Sequence, residues 1–442
     1  MNILYLHSHD TGRLIQPFGR AVPTPNLQRL AGEGVLFRQA FCAAPVCSAS
    51  RAALLTGQSP HASGMLGLAH RSFSLKDYRQ HLASYLSAAG YHTALAGVQH
   101  EAPAGQAGRL GYRELLPAAS GAAADISAAA AAFLARAPQG QPFFLAVGFN
   151  DTHREFPTPT PADDPRYLAV PAPLPDLPEV RADLAGFQAS ARRLDDGVGA
   201  VLQALQAAGL AEDTLVIATT DHGPAFPAMK CNLTDHGLGV YLILRGPGAF
   251  SGGRVVDAMV SHLDLYPTVC DLLGLPRPDW LAPFAAPGAG GGRALQPLLA
   301  EHPQALHAEL FGEVTYHAAY EPQRSVRTSR WKYIRRFDGR TRRVLPNCDD
   351  SPSKSAWLAR GWAARPVAAE QLYDLAFDPN ETANLAAAPE AAADLADLRA
   401  RLARWMELTG DPILAGLPVP APAGALVNDP DGLSPKEPPQ PA

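Results

Sequence analysis

Residues 46–61 read VCSASRAALLTGQSPH, and the rest of the chain is organised around this stretch. The helix formers from Ser50 to Thr56, followed by Gly57 where a helix can end, predict a short helix that begins near Cys47. Free N–H groups and the helix dipole favour negative charge at that end. Arg51 follows Cys47 by about one helical turn and can point back beside the sulfur. A nucleophile between a helix N-terminus and a guanidinium suits an oxyanion such as sulfate or phosphate.

Apolar runs and amphipathic helices alternate along the first two thirds of the chain. Residues 3–6, 143–147 and 215–218 are short apolar runs typical of buried strands. Alternation of such strands with helices predicts an α/β fold, in which a large, mostly parallel sheet is flanked by helices on both faces.

The pattern changes after the glycine-rich residues 288–292. Residues 324–328 and 331–335 resemble strands of a small antiparallel sheet, and residues 391–406 predict an amphipathic helix. We therefore predict a catalytic α/β domain over residues 1–300 and a smaller α+β subdomain over residues 301–416. The proline-rich residues 417–442 have few apolar side chains and are predicted to be a disordered tail.

Charge and cysteine content narrow the functional classes. The 442 residues carry a formal net charge of -5 without a long basic run, which argues against nucleic acid as a partner. The five cysteines are odd in number and irregularly spaced, so a disulfide framework is not expected. A strand at the second residue leaves no visible signal peptide, and we expect a cytoplasmic protein without a membrane partner. The oligomeric state stays open.

Polar clusters follow four predicted strands, at the edge where open α/β sheets place their sites. Because parallel strands end at one edge, residues distant in sequence can converge there. Carboxylates are the ligands that hard divalent ions need, so Asp10 and Asp221 are the first candidates for a metal site, with the adjacent His9 and His222 next. His100 and His153 are candidate acid/base groups, because histidine titrates near neutrality.

The Cys47 segment resembles the signature of the sulfatase family, Cys-x-Pro-x-Arg followed by a helix ending in Thr-Gly, with Ala49 at the proline position. This family belongs to the alkaline-phosphatase-like superfamily. Further stretches, such as residues 196–199 and 226–227, resemble its N-sulfoglucosamine sulfohydrolase (sulfamidase) subgroup. The resemblance implies that a maturation enzyme oxidises Cys47 to formylglycine, whose hydrated aldehyde is the nucleophile.

The resemblance also implies a role for each candidate residue. One divalent metal, calcium or alternatively manganese, would be held by a set from distant parts of the chain: His9, Asp10, Cys47, Asp221 and His222. Arg51 and Lys230 would hold the sulfate, His153 would protonate the leaving group, and His100 would remove a proton as sulfate is expelled. Val98 stands where the family usually has lysine. Tyr316, His317 and Arg324 are candidates to frame the substrate from the smaller domain.

The predicted function is hydrolysis of a sulfate ester or N-sulfate, with a sugar as the expected substrate. The Asp221-His222 pair resembles phosphonate monoester and phosphodiester hydrolases of the same superfamily, which is the alternative reading. A third possibility is a catalytically silent oxyanion-binding protein, because Ala49 and Val98 depart from the family pattern.

Overall fold

The computed structural model describes residues 1–138 and 140–442. Within these residues the dominant feature is a nine-stranded sheet. Its strands, in chain order, are β1 Asn2–Ser8, β2 Val35–Phe41, β3 His92–Gly97, β4 Glu114–Leu116, β5 Phe143–Gly148, β6 Thr214–Thr220, β7 Gly239–Val240, β8 Leu242–Arg245 and β9 Arg254–Ser261.

The strand order β4-β3-β5-β1-β6-β8-β2-β7, with β9 paired to β2, brings the predicted strands together. The strands β4, β3, β5, β1 and β6 run parallel, whereas β8 pairs antiparallel with β6 and β2. The mostly parallel α/β sheet predicted from the sequence is confirmed. Its parallel strands end at one common edge, which is where the polar clusters lie.

Helices cover both faces of this sheet. They are α1 Pro25–Glu33, α2 Cys47–Thr56, α3 Pro60–Ser63, α4 Leu82–Ala88, α5 Ala123–Leu134, α6 Pro178–Ala207, α7 Asp235–Leu238 and α8 Leu265–Leu273. Successive side chains of β1 point to opposite faces: Leu4 and Leu6 pack with α5 and α6, while Ile3 and Tyr5 pack in the core that includes α2 and α8. Both faces of β1 are apolar because each of them packs against helices.

A second, antiparallel sheet follows residue 300. Its strands β10 Leu310–Tyr316, β11 Tyr320–Arg327, β12 Trp331–Arg336 and β13 Glu370–Asp374 pair in sequence order. Helix α9 spans Pro352–Leu358, and α10 spans Ala392–Thr409. The predicted stripe of α10 is buried against this sheet: Leu395, Leu398, Leu402 and Trp405. The small antiparallel sheet predicted from the sequence is therefore confirmed.

The prediction that residues 417–442 are disordered is wrong. Val419 and Ala425 are buried, and the Tyr316 hydroxyl donates a hydrogen bond of 2.5 Å to the carbonyl of Val419. Strands β14 Leu426–Val427 and β15 Gln440–Pro441 pair with each other. Composition misled the prediction because a few small apolar side chains, Val419, Ala425 and Val427, are enough to anchor this segment, while Leu417, Leu426 and Leu433 stay exposed.

Within the described part of the chain, every helix is too short or too polar to traverse a lipid bilayer.

Candidate active site

Helix α2 begins at Cys47 and ends before Gly57, which confirms the predicted helix. The Cys47 sulfur is buried at the edge of the large sheet, 3.3 Å from His222 Nε2 and 4.0 Å from Asp10 Oδ1. Burial raises the pKa of the Cys47 thiol well above its ordinary value, although the charge of Lys230 opposes the shift. The unmodified thiol is therefore held neutral, which makes it a poor nucleophile.

Asp10 and Asp221 meet beside Cys47, although they follow different strands. The Asp10 backbone N–H donates a hydrogen bond of 2.8 Å to Asp221 Oδ1. His9 Nδ1 lies 3.3 Å from Asp221 Oδ2, and His222 Nε2 lies 3.4 Å from Asp10 Oδ1. The side chains of both aspartates and both histidines are fully buried. The structure thus gathers two carboxylates and two imidazoles at one point.

Arg51 is nearly fully buried below this cluster. Its Nη2 donates to the Ser8 carbonyl at 2.7 Å and to Asp221 Oδ2 at 3.0 Å, and its Nη1 lies 2.5 Å from His7 Nδ1. Burial alone would raise the pKa of Asp221, but His222 and Arg51 outweigh it and lower that pKa well below its usual range. Arg51 therefore keeps Asp221 ionised and fixes its orientation.

Lys230 is the second cation of the site. Its Nζ donates to Asp10 Oδ2 at 2.9 Å and lies 3.1 Å from Asp349 Oδ2. Burial would lower the pKa of Lys230, but the charges of Asp10 and Asp349 raise it well above its ordinary value. A buried ammonium between two carboxylates stays charged and can hold an anion.

His100 and His153 both pack edge-on against His9. Their ring centroids lie 4.6 Å and 5.6 Å from that of His9. Burial, followed by the charge of Arg51, lowers the pKa of His100 to about 3, so that this imidazole is neutral. His153 has a side chain that is 30% exposed, and its Nδ1 donates to the Arg154 carbonyl at 2.5 Å. Its Nε2 is thereby left facing the cluster, 3.9 Å from Asp10 Oδ2.

The donor set of this cluster fits a divalent metal. Ligand atoms of His9, Asp10, Cys47 and Asp221 all lie within 4.8 Å of one another. Among the described residues, neither buried ring nitrogen of His9 has a hydrogen-bond partner, although Nδ1 lies 3.3 Å from Asp221 Oδ2, and such burial is costly unless a ligand is bound. His222 Nδ1 donates to the Gly223 carbonyl at 2.9 Å, so its Nε2 lone pair is free to face the same point. These residues could hold the ion that an anionic substrate would need as counter-charge.

Two of the three residues from the smaller domain are not brought to this cluster. Arg324 is fully buried and donates from Nε and Nη2 to Asp411, at 2.5 Å and 3.0 Å. Tyr316 is buried with its hydroxyl bound to Val419. The interpretation of these two as substrate contacts is corrected, because Arg324 is already bound to Asp411 and Tyr316 to Val419.

His317 does lie near the cluster. It is buried, and burial together with the charge of Lys230 lowers its pKa well below the ordinary value, against the opposing charge of Asp349.

Sequence reasoning missed Asp349 and His7. Asp349 lies in an irregular segment between β12 and α9, where no periodic pattern points to a site. His7 lies on β1, one residue before the strand ends, and its ring contacts Arg51. Its position two residues before His9 on the same chain was the available signal, because alternate strand residues share a face.

Two comparisons with known sequences point to the same family. A family model described as Sulfatase matches residues 2–275. The chain is 34% identical over 441 residues to N-sulphoglucosamine sulphohydrolase from Homo sapiens, and the alignment covers 89% of this chain and 87% of that protein.

Two solved structures have the same fold at low sequence identity. One, in complex with its substrate D-glucosamine-2-N,6-O-disulfate, matches with a TM-score of 0.71 at 17% identity, covering 93% of this chain and 98% of its own. The other is the phosphonate monoester hydrolase of Agrobacterium radiobacter, with a TM-score of 0.68 at 22% identity, covering 92% of this chain and 96% of its own.

Proposed function

The chain belongs to the sulfatase family and is a sulfuric ester hydrolase, and from that premise we propose its substrate and its chemistry. The substrate is a sulfated saccharide, cleaved at an N-sulfate or a sulfate ester. Cys47 is oxidised to formylglycine, and one divalent metal, calcium or manganese, binds at His9, Asp10, residue 47 and Asp221, with His222 beside them. The observation that carries the proposal is the meeting of Cys47, Arg51, Lys230 and two carboxylates in one buried cluster.

The two absent groups would supply the nucleophile and part of the charge. Oxidised residue 47 would present a hydrated aldehyde, and the metal would supply positive charge against sulfate oxygens. Support for the metal comes from charge balance: among the described residues, the carboxylates of Asp10, Asp221 and Asp349 contact two permanent cations, Arg51 and Lys230. The imidazoles of His9 and His222 also contact them, but an imidazole that binds a metal carries no charge. A sulfate would otherwise enter a site with an excess of negative charge.

The chain's own residues then hold the substrate and move protons. Lys230 Nζ is positioned to bind a sulfate oxygen, which is electrostatic stabilisation of charge at the reacting centre. Arg51 acts through Asp221, since its Nη1 contacts His7 and its Nη2 donates to Ser8 and to that carboxylate, which leaves only Nε without a partner among the described residues. His153, partly exposed with Nε2 facing the cluster, is suited to protonate the leaving atom. His100, kept neutral by burial, can accept a proton during release of sulfate.

The test is a substrate comparison on metal-analysed protein, coexpressed with a formylglycine-generating enzyme and checked for the aldehyde at residue 47 by intact-peptide mass. We expect turnover of N-sulfoglucosamine or of a glucosamine sulfate ester, and loss of it in Cys47→Ala. A phenyl phosphonate ester is the competing substrate, because the Asp221-His222 pair favours it as the second candidate. Faster turnover of the phosphonate than of every sulfate would refute the proposal. So would activity in protein whose Cys47 is wholly unmodified.

A further inference from the structure

Asp349 lies on the solvent side of the sulfate-binding lysine. Lys230 Nζ is placed between Asp10 Oδ2 at 2.9 Å and Asp349 Oδ2 at 3.1 Å. The Asp10 side chain is fully buried and that of Lys230 is 3% exposed, whereas the Asp349 side chain is 18% exposed. Asp349 is therefore the more exposed of the two carboxylates that Lys230 contacts.

Asp349 is linked to His153 through Lys230 and Asp10. Asp10 Oδ2 lies 2.9 Å from Lys230 Nζ and 3.9 Å from His153 Nε2, so the lysine that Asp349 contacts and the imidazole of His153 border the same carboxylate. Burial would raise the pKa of Asp349, but the charge of Lys230 lowers it below the usual range. His153 is the proposed donor of the proton to the leaving atom. Asp349 is thus an ionised carboxylate linked to the group that protonates the leaving atom, with no part in the cluster suited to a metal.

The two kinds of sulfate differ in the charge of their leaving group. An N-sulfate reacts as R–NH–SO₃⁻ + H₂O → R–NH₃⁺ + SO₄²⁻: the N–S bond breaks, and the nitrogen ends as an ammonium. A sulfate ester reacts as R–O–SO₃⁻ + H₂O → R–OH + SO₄²⁻ + H⁺, and its leaving oxygen ends neutral. A carboxylate next to the leaving atom favours the first reaction, because it attracts the positive charge that develops only there.

We propose that Asp349 is a specificity-determining residue that directs this enzyme to N-sulfated amino sugars by binding the leaving amine. The proposal rests on the proposed function and narrows it from sulfated saccharides to their N-sulfates. Lys230 holds the sulfate on one side of the scissile bond, and Asp349 receives the nitrogen on the other. Asp349 is a residue that family patterns around Cys47 do not reveal, since it comes from the segment between β12 and α9.

The experiment compares Asp349→Asn with wild-type protein on N-sulfoglucosamine and on glucosamine 6-O-sulfate, using matured protein with the aldehyde verified. Asparagine keeps the size and the hydrogen-bonding of the side chain but removes its charge. Since a hydrogen bond to a charged group is worth about 1.5–3 kcal/mol, we expect kcat/KM on the N-sulfate to fall roughly 30-fold, with a change of less than about threefold on the ester.

Asp350→Asn is the matched control. The adjacent carboxylate of Asp350 contacts Lys354 and Ser434 instead of the cluster, so this variant removes one charge from the same segment without touching the site. We expect its activity on both substrates to equal that of wild type. Melting temperatures of the variants check that the segment stays folded.

Each outcome separates the two levels of the proposal. A selective loss on the N-sulfate in Asp349→Asn supports the inference. An equal loss on both substrates means that Asp349 merely positions Lys230, which overturns the inference and leaves the proposed function standing. Wild-type protein that hydrolyses only the ester also overturns it. Wild-type protein that hydrolyses neither sulfate refutes the proposed function itself.

Discussion

Replacing Arg51 by methionine tests how the buried charges of the site are balanced. Arg51 is 1% exposed, and its guanidinium bonds to Asp221, to the Ser8 carbonyl and to His7. Methionine fills much of the same volume without charge. The variant therefore leaves Asp221 as a buried carboxylate that keeps the imidazole of His9 and the backbone N–H groups of Asp10 and His222 as neighbours but loses its guanidinium partner.

Removal of one partner of a buried ion pair costs about 3–5 kcal/mol, because the other charge stays desolvated. Three contacts are lost here, but they share one guanidinium and are not additive. We therefore expect Arg51→Met to lower the free energy of unfolding by about 4 kcal/mol in metal-free protein. In the double variant Arg51→Met/Asp221→Asn both charges are gone, so the total loss should be smaller than the sum of the single losses by about 2 kcal/mol.

Urea denaturation of the four proteins, followed by circular dichroism in a chelating buffer, measures this cycle. The same series with calcium or manganese adds a second readout, since a metal at Asp10 and Asp221 would replace the missing positive charge. We expect the penalty of Arg51→Met to shrink when metal is added. A penalty below about 1 kcal/mol in the chelator would show that Arg51 does not compensate Asp221. Strictly additive losses would refute the coupling.

Three further measurements follow from the fold and the cluster. His81 is buried with Nδ1 accepting from the Ala83 N–H, and burial lowers its pKa to about 3. Because the unfolded chain takes up a proton on His81 at a higher pH than the folded chain, stability is lost as pH falls from about 6.5 towards 3, by about 2 kcal/mol at pH 5. His81→Asn keeps a cap acceptor and should flatten the pH profile of unfolding. An unchanged profile would contradict the lowered pKa of His81. Chelation of the metal should lower the melting temperature of the wild type. Metal added at a hundred times its Kd should restore about 2.7 kcal/mol of the free energy of unfolding, whereas Asp10→Asn should respond little. An equal response of both proteins would exclude Asp10 as a ligand. Truncation after residue 417 removes the packing of Val419 and the acceptor of the Tyr316 hydroxyl. It should cost roughly 3 kcal/mol in urea denaturation, and an unchanged midpoint would restore the prediction of a disordered tail.

Local patterns were enough to predict the elements that carry most of the site. Helix α2 follows from residue preferences over ten positions and a terminal glycine, and the polar ends of β1 and β6 follow from where the apolar runs stop. Their convergence could also be predicted, because parallel strands end at one edge. For the same reason Asp10 and Asp221 could be expected together before the tertiary structure was known.

The partners of individual charged side chains could not be predicted in this way. Arg324 resembles a substrate-binding arginine in sequence, yet Asp411 binds it inside the smaller domain. The tail is poor in apolar residues, yet Val419 finds a buried position.

By itself, then, the amino-acid sequence determined the α/β architecture, the helix that presents Cys47, and the strand ends that carry the acidic residues, because these depend on propensity and periodicity within short windows. Only the tertiary structure decided that Lys230 lies between Asp10, 220 positions away, and Asp349. An ion pair depends on distance and desolvation in three dimensions, and two segments of unrelated pattern acquire both only when the domains pack against each other.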